Sequence, residues 1–313
     1  MPKLFLRLLL AFALLIGCAA GTIAAPPITA AVFTPAGTEV LLGSQAGVEL
    51  HSWPDLKPIE RLKVELPNIH DLSFSPNGEQ LLIAGGSPGE SGEVEVLRWP
   101  EKKRQQLVRM GDDVVYRTAW SADGDQWAAA SADGICRVFR ASDHQPASQF
   151  AGHSRAVLAI GFLPDGTSAL SAGADHTLRL WEVNSGQEIR ALDNHLGIIN
   201  DLAIQPRPAP NTLPLVATVS EDRTVRLWQP TIGRMVRFAK LAVVPRAVSW
   251  SRDGQQLLVG GDDGQLRVID PATAEVVKEL PGINGRALVL LIDPGSERRV
   301  LLAGDGGAVS LKW

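Results

Sequence analysis

Two cysteines, six histidines and one tyrosine stand out as chemistry-bearing side chains in this 313-residue chain. Paired thiols could hold zinc or a covalent haem, and a lone activated thiol could act as a nucleophile. Cys18 and Cys136 fit none of these spacings, because the chain has no Cys-x-x-Cys and no Cys-x-x-Cys-His. Cys136 sits in "GICRVF", which alternates like a strand and reads as a buried, inert thiol. The glycine-rich stretch "GGSPGESGE" (Gly85–Glu93) reads as a loop. It would cradle phosphate only if it opened a helix, and no helical period follows. Histidine and carboxylate also accompany a duplicated strand, "ADHTLRLW" at Ala174–Trp181 and "EDRTVRLW" at Glu221–Trp228.

Ahead of these stretches, Lys3 and Arg7 flank the apolar run Leu8–Gly17. Spanning a bilayer takes about 20 apolar residues, so the run reads as a signal peptide. Its end, "LIGC" at Leu15–Cys18, resembles the lipobox of bacterial lipoproteins. The resemblance implies loss of residues 1–17 and a lipid on Cys18, with Ala19 behind it pointing to the outer membrane. The alternative is ordinary cleavage a few residues later, which gives a soluble periplasmic protein. A formal charge of −4 provides no clustered cations for nucleic acid, so no such partner is expected. The cations of "WPEKKRQQLVR" (Trp99–Arg109) read as a solvated sheet edge.

The duplicated strand belongs to a longer repeat. Turn motifs recur as "VFTPAG", "SFSPNG", "AWSADG", "GFLPDG", "SWSRDG" and a worn "LIDPGS". Each is followed by an apolar run, a second turn and an alternating strand. Starts at Ile28, Ile69, Val114, Ala156, Ile198, Val244 and Arg286 give seven units that recur every 41 to 46 residues. In "TLRLW" the alternation sets Leu178 and Leu180 on one face and Arg179 and Trp181 on the other, so both faces must be covered. The expected fold is all-β: a seven-bladed propeller of four-stranded antiparallel blades over residues 28–313, with helix nearly absent. Residues 18–27 are a tether or, through Ala19–Ala25, a strand closing the seventh blade.

These units resemble the WD40 family. The resemblance implies two structural tetrads, His153, Ser171, Asp175 and Trp181 in the fourth unit and His195, Thr218, Asp222 and Trp228 in the fifth. In each, Asp orients His, His meets the hydroxyl and the hydroxyl reaches the indole N–H. A hydrolytic triad would draw on the same residue types, but the set occurs twice at the family's spacing, so a scaffold role is expected. The third unit departs from the pattern with Ala129 and Phe139 at the hydroxyl and Trp positions, and the sixth with Ile269.

The family's binding positions fall at the top of the innermost strands and in the turn before the conserved Asp. Carried over, they give His70, Tyr116, Asn200, Glu221, Arg246, Asp262 and Arg286 as candidate partner-binding residues. Tyr116 and Arg246 are of the types that anchor protein interfaces. The expected function is therefore a non-catalytic interaction scaffold, a monomeric propeller that binds another protein of the bacterial envelope. It needs no cofactor or metal, and it touches the membrane only through Cys18. The alternative is a periplasmic propeller enzyme or cofactor binder, lactonase-like or quinoprotein-like, which needs converging ligands or acid–base groups at the channel. The "QPRPAPNTLP" insertion (Gln205–Pro214) reads as an enlarged surface loop.

Overall fold

The computed structural model of the protein describes residues 25–208, 212–296 and 298–313. The leader and Cys18 lie outside the described residues. So does the expected closing segment except Ala25, which is in no strand. The remainder forms seven antiparallel sheets in which strands follow one another from the innermost outward. Six blades have four strands, and the seventh shows three among the described residues. The innermost strands are Ile28–Phe33, Asp71–Phe74, Val115–Trp120, Val157–Phe162, Ile199–Ile204, Pro245–Trp250 and Ala287–Ile292. Each begins within two residues of the repeat start read from the sequence. The single helical element among the described residues is one 3-10 turn, Pro230–Ile232.

Alternation explains why blades stack. Leu178 and Leu180 pack with Trp228 of blade 5, whereas Trp181 packs the opposite way, with Cys136 and Phe150 of blade 3. A sheet that buries both faces needs a neighbour on each side, and a ring supplies both. The ring closes through apolar contact as well. Ala31, Val40 and Leu42 of blade 1 meet Val289, Leu301 and Ala303 of blade 7. Across the same seam the Trp53 indole donates to Asp293 Oδ2 at 2.8 Å.

The glycine-rich stretch is not a loop. Strands Gln80–Ser87 and Ser91–Arg98 pair through it, with Gly85 opposite Glu93 and Gly86 opposite Gly92. Close approach accounts for Gly85, Gly86 and Gly92, and a Cβ on Gly92 would lie 1.9 Å from the Asp113 carbonyl oxygen. One rim of this hairpin is held by Gly86 N–H donating to Pro67 O (3.1 Å) and by Asn68 Nδ2 donating to Gly86 O (3.1 Å). At its tip Gly89 N–H donates to Asp113 Oδ1 at 3.3 Å. Most of the basic stretch forms the outer strand Lys103–Gly111, where Arg104 pairs with Glu65 and Arg109 with Glu93. Of the Pro-rich insertion between the first two strands of blade 5, residues 209–211 lie outside the described residues; at its start Gln205 Nε2 donates to Gly254 O at 2.8 Å.

Candidate partner-binding face and the polar networks beneath it

The two tetrads assemble as continuous hydrogen-bonded chains. In blade 4, His153 Nδ1 lies 2.9 Å from Asp175 Oδ2, and Nε2 lies 2.8 Å from Ser171 Oγ, which accepts the Trp181 indole N–H at 3.2 Å. The same links in blade 5 measure 2.8, 2.7 and 2.8 Å through His195, Asp222, Thr218 and Trp228. Burial pushes His195 down to about 4, against the opposing pull of Asp222. Burial works to raise Asp222, but bonds from Thr224, His195 and the Leu196 N–H outweigh it and hold its carboxyl at about 2. The result is a neutral imidazole whose Nδ1 donates to a carboxylate and whose Nε2 accepts from the threonine. Both hydroxyls are fully buried, so neither presents a nucleophile to solvent. Cys136 is equally enclosed, and burial pushes its thiol up to about 12.

The third blade replaces the tetrad with another arrangement. Trp127, one strand further in, stacks on Phe139 at 4.3 Å and donates to His144 Nδ1 at 3.2 Å.

The seven candidate binding residues divide into three groups. Arg246 is the hub of the first. Its Nε donates to Asp262 Oδ1 (2.6 Å) and Nη2 to Oδ2 (3.1 Å), while Nη1 reaches Glu221 (3.0 Å) and Asn200 Oδ1 (3.4 Å). Asn200 donates in turn to Pro245 O at 2.9 Å. In the second group Arg286 forms a two-pronged pair with Asp305 (2.9 and 3.1 Å). His70 and Tyr116 form the third, meeting edge to face with ring centroids 5.2 Å apart. Neither the His70 ring nor the Tyr116 hydroxyl makes a hydrogen bond among the described residues. Burial lowers the pKa of His70 and raises that of Tyr116. Both groups are therefore neutral near pH 7 and half-buried.

A second polar cluster, missed from sequence, lies one residue further along the inner strands. Arg117 Nη2 donates to Asp201 Oδ1 (2.8 Å), linking blade 3 to blade 5. Arg117 Nη1 lies 3.7 Å from Asp71 Oδ1 of blade 2. Each carboxylate also takes a backbone N–H of the next blade, Thr118 for Asp71 (2.7 Å) and Val248 for Asp201 (3.0 Å). These groups line a central cavity of about 470 Å³ with Thr29, Ser73 and Ser249. Burial raises the pKa of Asp201, and Arg117 opposes that rise. The signal for this cluster was available as a charged residue immediately after the top-ring position, where other blades have Ala or Val.

Fold and site together define an all-β propeller that buries its acid–base sets inside blades and presents a polar, aromatic ring at one end of its channel. Four segments, 105–140, 144–182, 186–229 and 242–270, match the family described as WD domain, G-beta repeat. The first three matches each start at the outer edge of one blade and end on the third strand of the next. The chain is thus a WD40-repeat propeller.

Similar proteins include telomerase protein component 1 of Mus musculus, 27% identical over 63% of this chain, and the guanine nucleotide-binding protein subunit beta of Saccharomyces cerevisiae, 25% identical over 69%. Another is cilia- and flagella-associated protein 52 of Sus scrofa, 23% identical over 90%. The chain spans 8%, 52% and 45% of the length of these three relatives.

Proposed function

We propose that the protein is a non-catalytic interaction scaffold of the bacterial envelope, exported and held there through Cys18, that docks a partner protein on the ring face carrying His70 and Tyr116. One observation carries this reading. Of the seven ring residues, Arg246, Glu221, Asp262, Asn200 and Arg286 are engaged within the chain, whereas His70 and Tyr116 hold neutral rings with unused hydrogen-bonding groups. Half-buried, rigid aromatic groups of this kind give up little freedom on binding and anchor interfaces. Arg246, an attractive anchor by residue type, is instead an internal brace between blades 5 and 6.

The test is native capture from envelope extract with the exported chain, compared with Tyr116→Ala and Arg246→Ala versions matched for folding. The expected result is one protein that both the unaltered chain and Arg246→Ala retain and Tyr116→Ala loses. A partner held equally by Tyr116→Ala would move the interface away from this ring.

A further inference from the structure

Building on the docking face just described, we infer that the mouth between blades 2 and 3 receives a cationic side chain, arginine or lysine, from the partner protein. The charges beneath that mouth do not balance. Two carboxylates, Asp71 and Asp201, share one guanidinium, that of Arg117. Arg117 gives its short bond to Asp201 and stays 3.7 Å from Asp71 Oδ1. Asp71 Oδ2 accepts from Thr118 N–H and Oγ1, both at 2.7 Å, while Oδ1 has no hydrogen bond among the described residues. Asp71 is only 6% exposed. A carboxylate withdrawn that far from water is costly unless a full counter-charge reaches it. The other cations of the ring do not serve, because Arg246 and Arg286 are committed to Asp262 and Asp305.

Space and lining suit the missing charge. The cavity of about 470 Å³ beside Asp71 has room for an extended basic side chain. His70 stands immediately before Asp71, at the entry to its strand, and Tyr116 immediately before Arg117. The tyrosine ring offers a π face to a cation, and the neutral imidazole offers an acceptor to its N–H groups. Asp113 lies within electrostatic reach of Tyr116 and adds negative potential at the rim. An acidic or phosphorylated segment would instead meet the surplus carboxylate, so charge selects a basic partner.

The experiment titrates the exported chain, labelled in its tyrosine ring, with three capped pentapeptides, Ala-Ala-X-Ala-Ala with X as Arg, Lys or Glu. Tyr116 is the only tyrosine, so one set of ring resonances reports the site. The Arg and Lys peptides should shift it saturably, less strongly as salt rises, and the Glu peptide should not. Asp71→Asn should weaken the Arg peptide about tenfold or more, and Arg117→Met, which leaves the carboxylates uncompensated, should strengthen it. If neither variant folds, the peptide selectivity and salt dependence of the unaltered chain decide. Equal shifts with the Glu peptide, no shift with any, or binding indifferent to both folded variants would overturn the inference. Capture of a partner that depends on Tyr116, with no response to the basic peptides, would leave the docking face standing and remove only its charge preference.

Discussion

At the scale of single residues, the tetrads show how a histidine can be made structural. His195 Nδ1 donates to Asp222 while Nε2 accepts from Thr218, so a second proton on the ring removes the acceptor that the threonine uses. Burial lowers the His195 pKa from 6.5 to about 4, so its contribution is complete above pH 6.5 and is lost as pH falls toward 4. The full loss amounts to at most about 3 kcal/mol. Asp222, lowered from 3.8 to about 2, adds a contribution that is lost at lower pH still. Urea midpoints should therefore fall between pH 7 and pH 4.5, and His195→Asn should flatten that part of the profile. A profile unchanged by the substitution would show that another group sets the acid limit. Trp228→Phe removes the indole donor from buried Thr218 and should cost about 1–3 kcal/mol, read as a lower urea midpoint with partner capture retained.

At the scale of elements, the third and fourth blades bury Cys136 between them, with Phe150 and Trp181 among its neighbours. A thiol reagent should modify Cys136 only as fast as the protein unfolds, and rapid labelling of the native protein would contradict the packing described. The hairpin of blade 2 offers a sharper contrast. Gly92→Ala drives a methyl against the Asp113 carbonyl and should cost about 2 kcal/mol or more. Gly89, with φ +69° and open space around it, should lose only about 1 kcal/mol as Ala. Thermal melting of the two variants checks the difference. Sequence periodicity was enough to place the inner strands within two residues, because alternation and turn glycines are local. It did not reveal that "GGSPGESGE" pairs as strand, since Gly85 and Gly92 are needed where the carbonyls of Asn68 and Asp113, residues of the loops on either side, come close.

Across the whole molecule, the ring brings together what the chain keeps far apart. Arg117 and Asp201 lie on blades 3 and 5, and no local pattern connects a lone arginine to a lone aspartate at that distance. The same limit hid the engagement of Arg246, whose acids come from Glu221 and Asp262 in two different turns. The tetrads were readable because each is confined to one repeat and resembles a known pattern. The free groups were not, because being unpaired is a property of the assembled ring face. That face makes Tyr116 the test of the account. A photo-crosslinking amino acid placed at Tyr116, and separately at exposed Ile59 on the outer edge of blade 1, should be irradiated in intact cells. A single crosslinked product from Tyr116 and none from Ile59 is the predicted result. A product from Ile59 alone would contradict docking on the ring face.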